Sequence, residues 1–338
     1  MRIPSLTRVW AAVAVCGSLS LAAPAVLAAS YSDLYVFGDS LSDNGNLHAL
    51  SASLNLPGVG AQPQSPYVDG RFSNGKVAVE YLADSLGATL HDYAYGGATT
   101  SLLNAHFGAD ELPGALLPFA KPLQDTGLLS QVGMFQSSLV ASGSAANAGA
   151  LYVVWAGAND FIHLKASPHD TAVAAIGNLR GTVQQLYDLG ARDFLLPLLP
   201  DLGKTPLALM AGSDYANAAT ASAIDFNQHL LAAYGQLAAA LPDEHFTYFD
   251  TLAVQDASLL SAAAAGINTT AACLLVAAPS VCTDSSTPFY YFDDIHPTTA
   301  THQMLAAGML AAVPEPASML LMALGVVGLL GWSRRQPR

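Results

Sequence analysis

The chain carries a serine in a tight turn directly after an apolar run: Leu34-Tyr35-Val36-Phe37 leads into Gly38-Asp39-Ser40. A serine hydroxyl is a weak nucleophile until a base takes its proton. His296, in the segment "YYFDDIHPT", is a suitable base, and a carboxylate should fix its tautomer and stabilise the imidazolium. Asp293 lies three residues before His296, so both can share one short turn, whereas Asp294 points elsewhere at that spacing. Acyl transfer also needs donors aimed at the developing oxyanion. The N–H groups of Ser40 and of Gly97 ("DYAYGGAT") and the side-chain amide of Asn159 ("LYVVWAGAND") can supply them.

Taken singly, each residue has an ordinary structural reading. Asp39 and Ser40 are common turn formers and helix caps. Gly97 alone reads as a turn glycine with positive φ, and Asn159 alone as an Asx-turn residue. His296, before Pro297, alone reads as a surface histidine. It is their complementary chemistry that argues for catalysis. Asp39 and Asp160 are expected to be structural, bonding nearby backbone groups. The other histidines show no ligand spacing such as HExxH, so neither a metal site nor a cofactor is expected.

Such residues need elements that bring them together. Strand patterns at 33–37, 91–95, 150–156, 192–199 and 245–249 alternate with helical patterns near 74–86, 126–140, 170–189, 214–240 and 298–311. That alternation calls for one domain with a parallel sheet covered by helices on both faces. The candidate segments each fall just past a strand, and in a parallel sheet those points share one edge. Two long Pro/Gly-rich stretches, 51–70 and 108–127, exceed ordinary loop lengths and suggest functional loops. The runs "TTAACLLVAAPSVC" and "SAAAAG" show little pattern.

The segments "FGDSLSDNGN", "DGRFSNGKVAVEYLADSLG", "YAYGGAT", "GAND", "LPDLGKTP" and "DDIHPTTATHQMLA" resemble, in order and spacing, those of the SGNH hydrolases, also called GDSL esterases and lipases. The resemblance covers nearly all of 33–311. It places the four defining residues of the family on Ser40, Gly97, Asn159 and His296, and its orienting carboxylate on Asp293. It implies a flavodoxin-like three-layer α/β/α fold with a central parallel sheet. It also implies attack by Ser40 on an ester carbonyl, in a shallow, open site that accepts varied acyl groups. The loops 51–70 and 108–127 have no obvious counterpart.

Both ends carry other signals. Residues 1–29 combine Arg2 and Arg8, an apolar run from Val9 to Ala23 and small residues around Ala28, the pattern of a secretory signal cut after Ala28 or Ala29. Cys16 sits too early, after Val15, for a lipoprotein anchor. The hydrolase domain is expected at 30–312. At 313–338 the order Val-Pro-Glu-Pro, apolar segment 317–332 and arginines resembles the PEP-CTERM sorting tail of Gram-negative bacteria. That resemblance implies sorting and processing machinery at the membrane, and transient anchoring. The alternative is a plain membrane anchor, with the arginines held in the cytoplasm and the bulk of the chain outside it. Either way the protein is expected in the periplasm, on the outer surface or outside the cell.

Residues 29–313 hold 7 of the Lys and Arg and 24 of the Asp and Glu, a net charge of −17. So acidic a surface excludes nucleic acid as a partner and gives no pull toward anionic lipid heads. Cys273 and Cys282, close together in an exported chain, are expected to form a disulfide. The leading reading is an exported serine esterase or lipase acting on a small ester, lipid or acetylated glycan. Two alternatives are a polysaccharide O-deacetylase using the same site and a non-catalytic surface protein that retains the fold. The intact set of Ser40, Asp293 and His296 argues against the last.

Overall fold

Strands buried on both faces read as near-continuous apolar runs, because helices cover each side of the sheet. The inner strands β1 (Asp33–Gly38), β3 (Leu151–Trp155) and β4 (Asp193–Pro197) fulfil that pattern, whereas the edge strands β2 (Thr89–Asp92) and β5 (His245–Phe249) are more polar and more exposed. They pair in parallel in the order β2-β1-β3-β4-β5. The structure, a computed structural model, describes residues 31–107, 111–163, 167–241 and 243–313. The leader at 1–29 and the apolar tail segment at 317–332 lie outside the described residues.

Between the first strands run α1 (Asn46–Leu54), α2 (Ala78–Leu86), α3 (Lys121–Gln124) and α4 (Leu128–Ser142). After β3 follow α5 (Ala158–Ile162) and α6 (Pro168–Leu189), and after β4 come α7 (Pro206–Ala211) and α8 (Ser213–Ala240). The C-terminal part holds α9 (Thr251–Ala264), β6 (Asn268–Ala272), α10 (Cys273–Val276), α11 (Pro279–Cys282), β7 (Phe289–Tyr291) and α12 (Thr299–Ala312).

Alternation along the strands divides the core in two. Phe37, Tyr152, Val154, Phe194 and Leu196 meet α4, α6 and α8 through side chains such as Phe135, Val183 and Phe226. Leu34, Val36, Val153, Trp155 and Leu195 meet α2 and α12 through Val79, Leu82, Leu305 and Met309. The result is the expected three-layer α/β/α arrangement with a parallel central sheet. In this flavodoxin-like order the winding reverses between β1 and β3, which opens a crevice at their C-terminal ends. Ser40 follows β1 and Asn159 follows β3, so the two flank that crevice.

Several details differ from the sequence expectations. The second strand ends at Asp92, not 95, because the Asp92 carboxylate accepts the N–H of Ala94 and of Asn44 and turns the chain away. The segment with Asp293 and His296 does not leave the central sheet; it follows β7, which pairs with β6 in a separate two-stranded parallel sheet. The first residues of the 51–70 stretch belong to α1. The two long stretches are not independent loops: Leu56 and Val59 of one pack with Ala120 and Leu123 of the other, together with Leu47 and Phe107. Among the described residues no helix is long and apolar enough to cross a membrane.

Candidate active site

Ser40 stands where β1 stops. Gly38 passes so close to the carbonyl of Trp155 that a Cβ would collide with it, and Gln131 holds both its N–H and its carbonyl. The Asp39 carbonyl accepts the N–H groups of Ser42 and Asp43, and its carboxylate accepts that of Leu41. A second anchor is Asp43, whose carboxylate accepts the N–H groups of Gly45, Asn46, Leu47 and Gly96. That side chain ties the serine turn to the segment carrying Gly97. Burial pushes both carboxyls, Asp39 and Asp43, up to about 6.

The base and its acid share one turn. Asp293 Oδ1 accepts the N–H of Ile295 at 2.8 Å and of His296 at 2.6 Å. Its Oδ2 faces His296 Nδ1 at 2.6 Å, and His296 Nε2 lies 2.7 Å from Ser40 Oγ. A carboxylate only accepts, so Nδ1 carries the proton and Nε2 is left to accept from the serine hydroxyl. Asp294 takes no part in this chain of bonds; its carbonyl accepts the N–H of Leu207.

The electrostatics follow from this packing. Enclosure disfavours a charged imidazole, but the attraction and hydrogen bond of Asp293, with help from Asp39 and Asp294, hold His296 above its ordinary value. Burial would raise Asp293, yet the charge and bond of His296 and the phenol of Tyr67 bring it below the usual carboxylate range.

Tyr67 escaped the sequence analysis. Its hydroxyl donates to Asp293 Oδ2 at 2.6 Å, the same oxygen that accepts from His296. Its ring packs between Phe72 and Phe292, and Phe72 in turn faces the His296 ring at 5.1 Å. Nothing local marks a tyrosine 226 residues from its partner. The motif "DGRFSNGK" has a structural meaning here as well. Ser73 donates to the carbonyl of Pro297, and Asn74 donates to those of Cys282 and Asp284 while accepting the N–H of Thr299. Cys273 and Cys282 are bonded to each other and buried against Phe292, and Leu274 N–H donates to the Phe292 carbonyl. The bridged segment therefore backs the turn that presents the base.

Gly97 and Asn159 complete the set. Gly97 has φ 78°, and a Cβ there would overlap the His106 ring. Asn159, at the start of α5, donates through Nδ2 to the carbonyl of Ala98 at 3.1 Å, which fixes the plane of its amide. Asp160 accepts the N–H and hydroxyl of Thr100, the structural role expected of it.

Ser40, Asn159, Asp293 and His296 line one cleft of about 250 Å³, together with Phe72 and His106. Gly97 packs against His106 and so borders this cleft. Burial, with the neighbouring His163 and His296, pushes His106 down to about 4, which leaves it neutral. Among the described residues, no group of three or more His, Cys, Asp or Glu side chains is placed to hold a metal ion.

Residues 34–309 match the family model for GDSL-like lipase/acylhydrolase, and residues 312–335 match that for the PEP-CTERM protein-sorting motif. The chain is 27% identical over 320 residues to a GDSL esterase/lipase of Arabidopsis thaliana, covering 82% of this chain and 88% of the relative. Another from the same plant is 27% identical over 316 residues, covering 82% and 89%. Among solved structures, an acetyl xylan esterase from Geobacillus stearothermophilus is 15% identical with a TM-score of 0.41, covering 85% of this chain and 96% of that one.

Proposed function

Because the chain belongs to the GDSL-like lipase/acylhydrolase family and is thus an ester-hydrolysing enzyme, we propose that it acts through an acyl-enzyme on Ser40, with His296 as base and Asp293 as its partner. The observation that carries this reading is the unbroken chain Ser40 Oγ, His296 Nε2, His296 Nδ1 and Asp293 Oδ2, at 2.7 and 2.6 Å.

Ser40 Oγ attacks the ester carbonyl carbon while its proton passes to His296 Nε2. The imidazolium so formed is held by Asp293, which stays ionised. The carbonyl oxygen, now an oxyanion, is met by the N–H groups of Ser40 and Gly97 and by the Asn159 amide. Collapse of this intermediate breaks the bond to the alkoxy oxygen, which leaves as the alcohol with the proton from Nε2. Water then enters, gives a proton to Nε2, and attacks the acyl carbon; the acid departs and Ser40 recovers its proton.

The sorting motif at 312–335 indicates export and sorting to the cell envelope. Within that frame residues 1–29 act as the export signal, 30–312 as the hydrolase domain and 313–338 as the sorting tail. A fluorophosphonate probe and a nitrophenyl ester assay test the site together. Wild type should be labelled and active, and Ser40→Ala should be neither while keeping its circular dichroism spectrum. Turnover at the wild-type level in that variant would end the proposal.

A further inference from the structure

The catalytic cleft does not stop beside Ser40. A second cavity of about 210 Å³ adjoins it, and Ile162, Leu202, Thr205 and Ile295 line both. The continuation runs between α5 and the start of α6 on one side and α7 and α8 on the other, past Phe161, Leu207 and Ala219. Among the described residues no charged side chain lines it, although the domain around it is strongly acidic. Of its polar groups, the Thr205 hydroxyl is already engaged: it donates to the Leu202 carbonyl and accepts the N–H of Ala208 as the cap of α7. Besides it, Tyr215 and Ser222 are the only hydroxyl-bearing side chains among the described lining residues, few partners for a sugar, whereas a hydrocarbon chain would find the aliphatic side chains of Ile162, Leu202, Leu207 and Ile295. Of the aromatic side chains that line it, Tyr215 is 50% exposed.

We propose that this groove binds an unbranched aliphatic chain of the ester substrate, so that the enzyme selects esters carrying a medium or long chain over esters whose acyl and alkoxy parts are both short. The inference rests on the acyl-enzyme reading given above and names the substrate class of that same site. It commits to the chain's chemistry; the chain can enter from the acyl or from the alkoxy side of the scissile bond.

The test measures kcat/KM along two series kept below their aggregation concentrations. One is nitrophenyl esters from acetyl to decanoyl, the other acetates of alcohols from ethyl to decyl. In one series kcat/KM should rise by about fourfold for each methylene the groove covers, the gain that burial of a CH₂ gives. A rise in the first series assigns the groove to the acyl chain, a rise in the second to the alcohol. Ala219→Trp, which narrows the groove, should lower the ratio of octanoyl to acetyl kcat/KM tenfold or more, or the matching ratio in the alcohol series. A ratio cancels any loss of folded protein. Rates that stay flat or fall with length in both series, or a ratio unchanged by Ala219→Trp, would overturn the inference. If the variant does not fold, the wild-type series decide alone. Acetyl ester hydrolysis that survived Ser40→Ala would instead remove the catalytic reading, whatever the length profile showed.

Discussion

Replacing Tyr67 by Phe deletes one oxygen and leaves the ring against Phe72 and Phe292, 5.9 and 5.2 Å away between centroids. The bond lost is short, 2.6 Å, and ends on an ionised carboxylate. Hydrogen bonds to charged groups contribute about 1.5–3 kcal/mol, so urea denaturation should show an unfolding free energy lowered by that amount, seen as a lower midpoint with m unchanged. The catalytic consequence has a definite sign. With the phenol gone, Oδ2 of Asp293 keeps only the Nδ1–H of His296 as its side-chain donor and holds the imidazolium more tightly. If half of the bond's worth passes to His296, its pKa rises by about 0.5–1 unit. The acid limb of kcat/KM reports the free-enzyme base and should move up by the same amount. In an Asp293→Asn background the phenol faces a neutral amide, so its deletion should cost only about 0.5–1.5 kcal/mol, which exposes the coupling in a double-mutant cycle. An acid limb that stayed in place or moved down, in a variant as stable as wild type, would refute the argument.

The wild-type acid limb itself should lie above the ordinary histidine value of about 6.5, because Asp293 favours the charged imidazole; a rate with no acid limb between about pH 4 and 8 would remove His296 as the base. The raised pKa also sets a stability window: the contribution of the His296 charge is full below about 6.5 and is lost as pH rises through the folded value. Urea midpoints should therefore show a larger advantage of wild type over His296→Gln in mildly acidic than in alkaline buffer. Asp293→Asn should lower kcat by about 10⁴, the size of the corresponding protease substitution, through the wrong imidazole tautomer. Asp294→Asn should change kcat little, and the reverse pattern in steady-state kinetics would reassign the acid. Asn159→Ala should lower kcat by about 10²–10³ if its amide meets the oxyanion, whereas a change in KM alone would mean equal binding of ground and transition states. Cys273→Ser should lower unfolding stability by about 2–3 kcal/mol in the chain-entropy account of a short loop, measured by urea titration without reductant.

What the sequence by itself determined was local. Apolar runs of strand length between helical patterns gave the parallel α/β architecture, since each run must be buried on both faces. Ser40, Gly97, Asn159 and the Asp293–His296 pair were legible because each lies in a short segment whose turn chemistry is written in neighbouring residues. The spacing of Asp293 and His296 already pointed to Asp293 rather than Asp294 as the neighbour of the ring, and one Asp293 carboxylate meets both the ring and the backbone N–H of His296. Tertiary structure decided the rest, because contacts between distant segments leave no periodic trace. Tyr67 meets Asp293 from 226 residues away, and only the packed rings of Phe72 and Phe292 place it there. Asp43 and Asn46 sit inside the opening motif, yet their partners Gly96, Asp92 and Ala94 become neighbours only when β2 pairs beside β1. The separate β6–β7 sheet rests on Asn268–Ala272, which holds no large apolar residue, and on the three residues Phe289–Tyr291, so no apolar run of strand length marks it. The groove beyond Ser40 likewise exists only where α5, α6, α7 and α8 converge: its walls come from four helices and two turns, and no single stretch of sequence contains it.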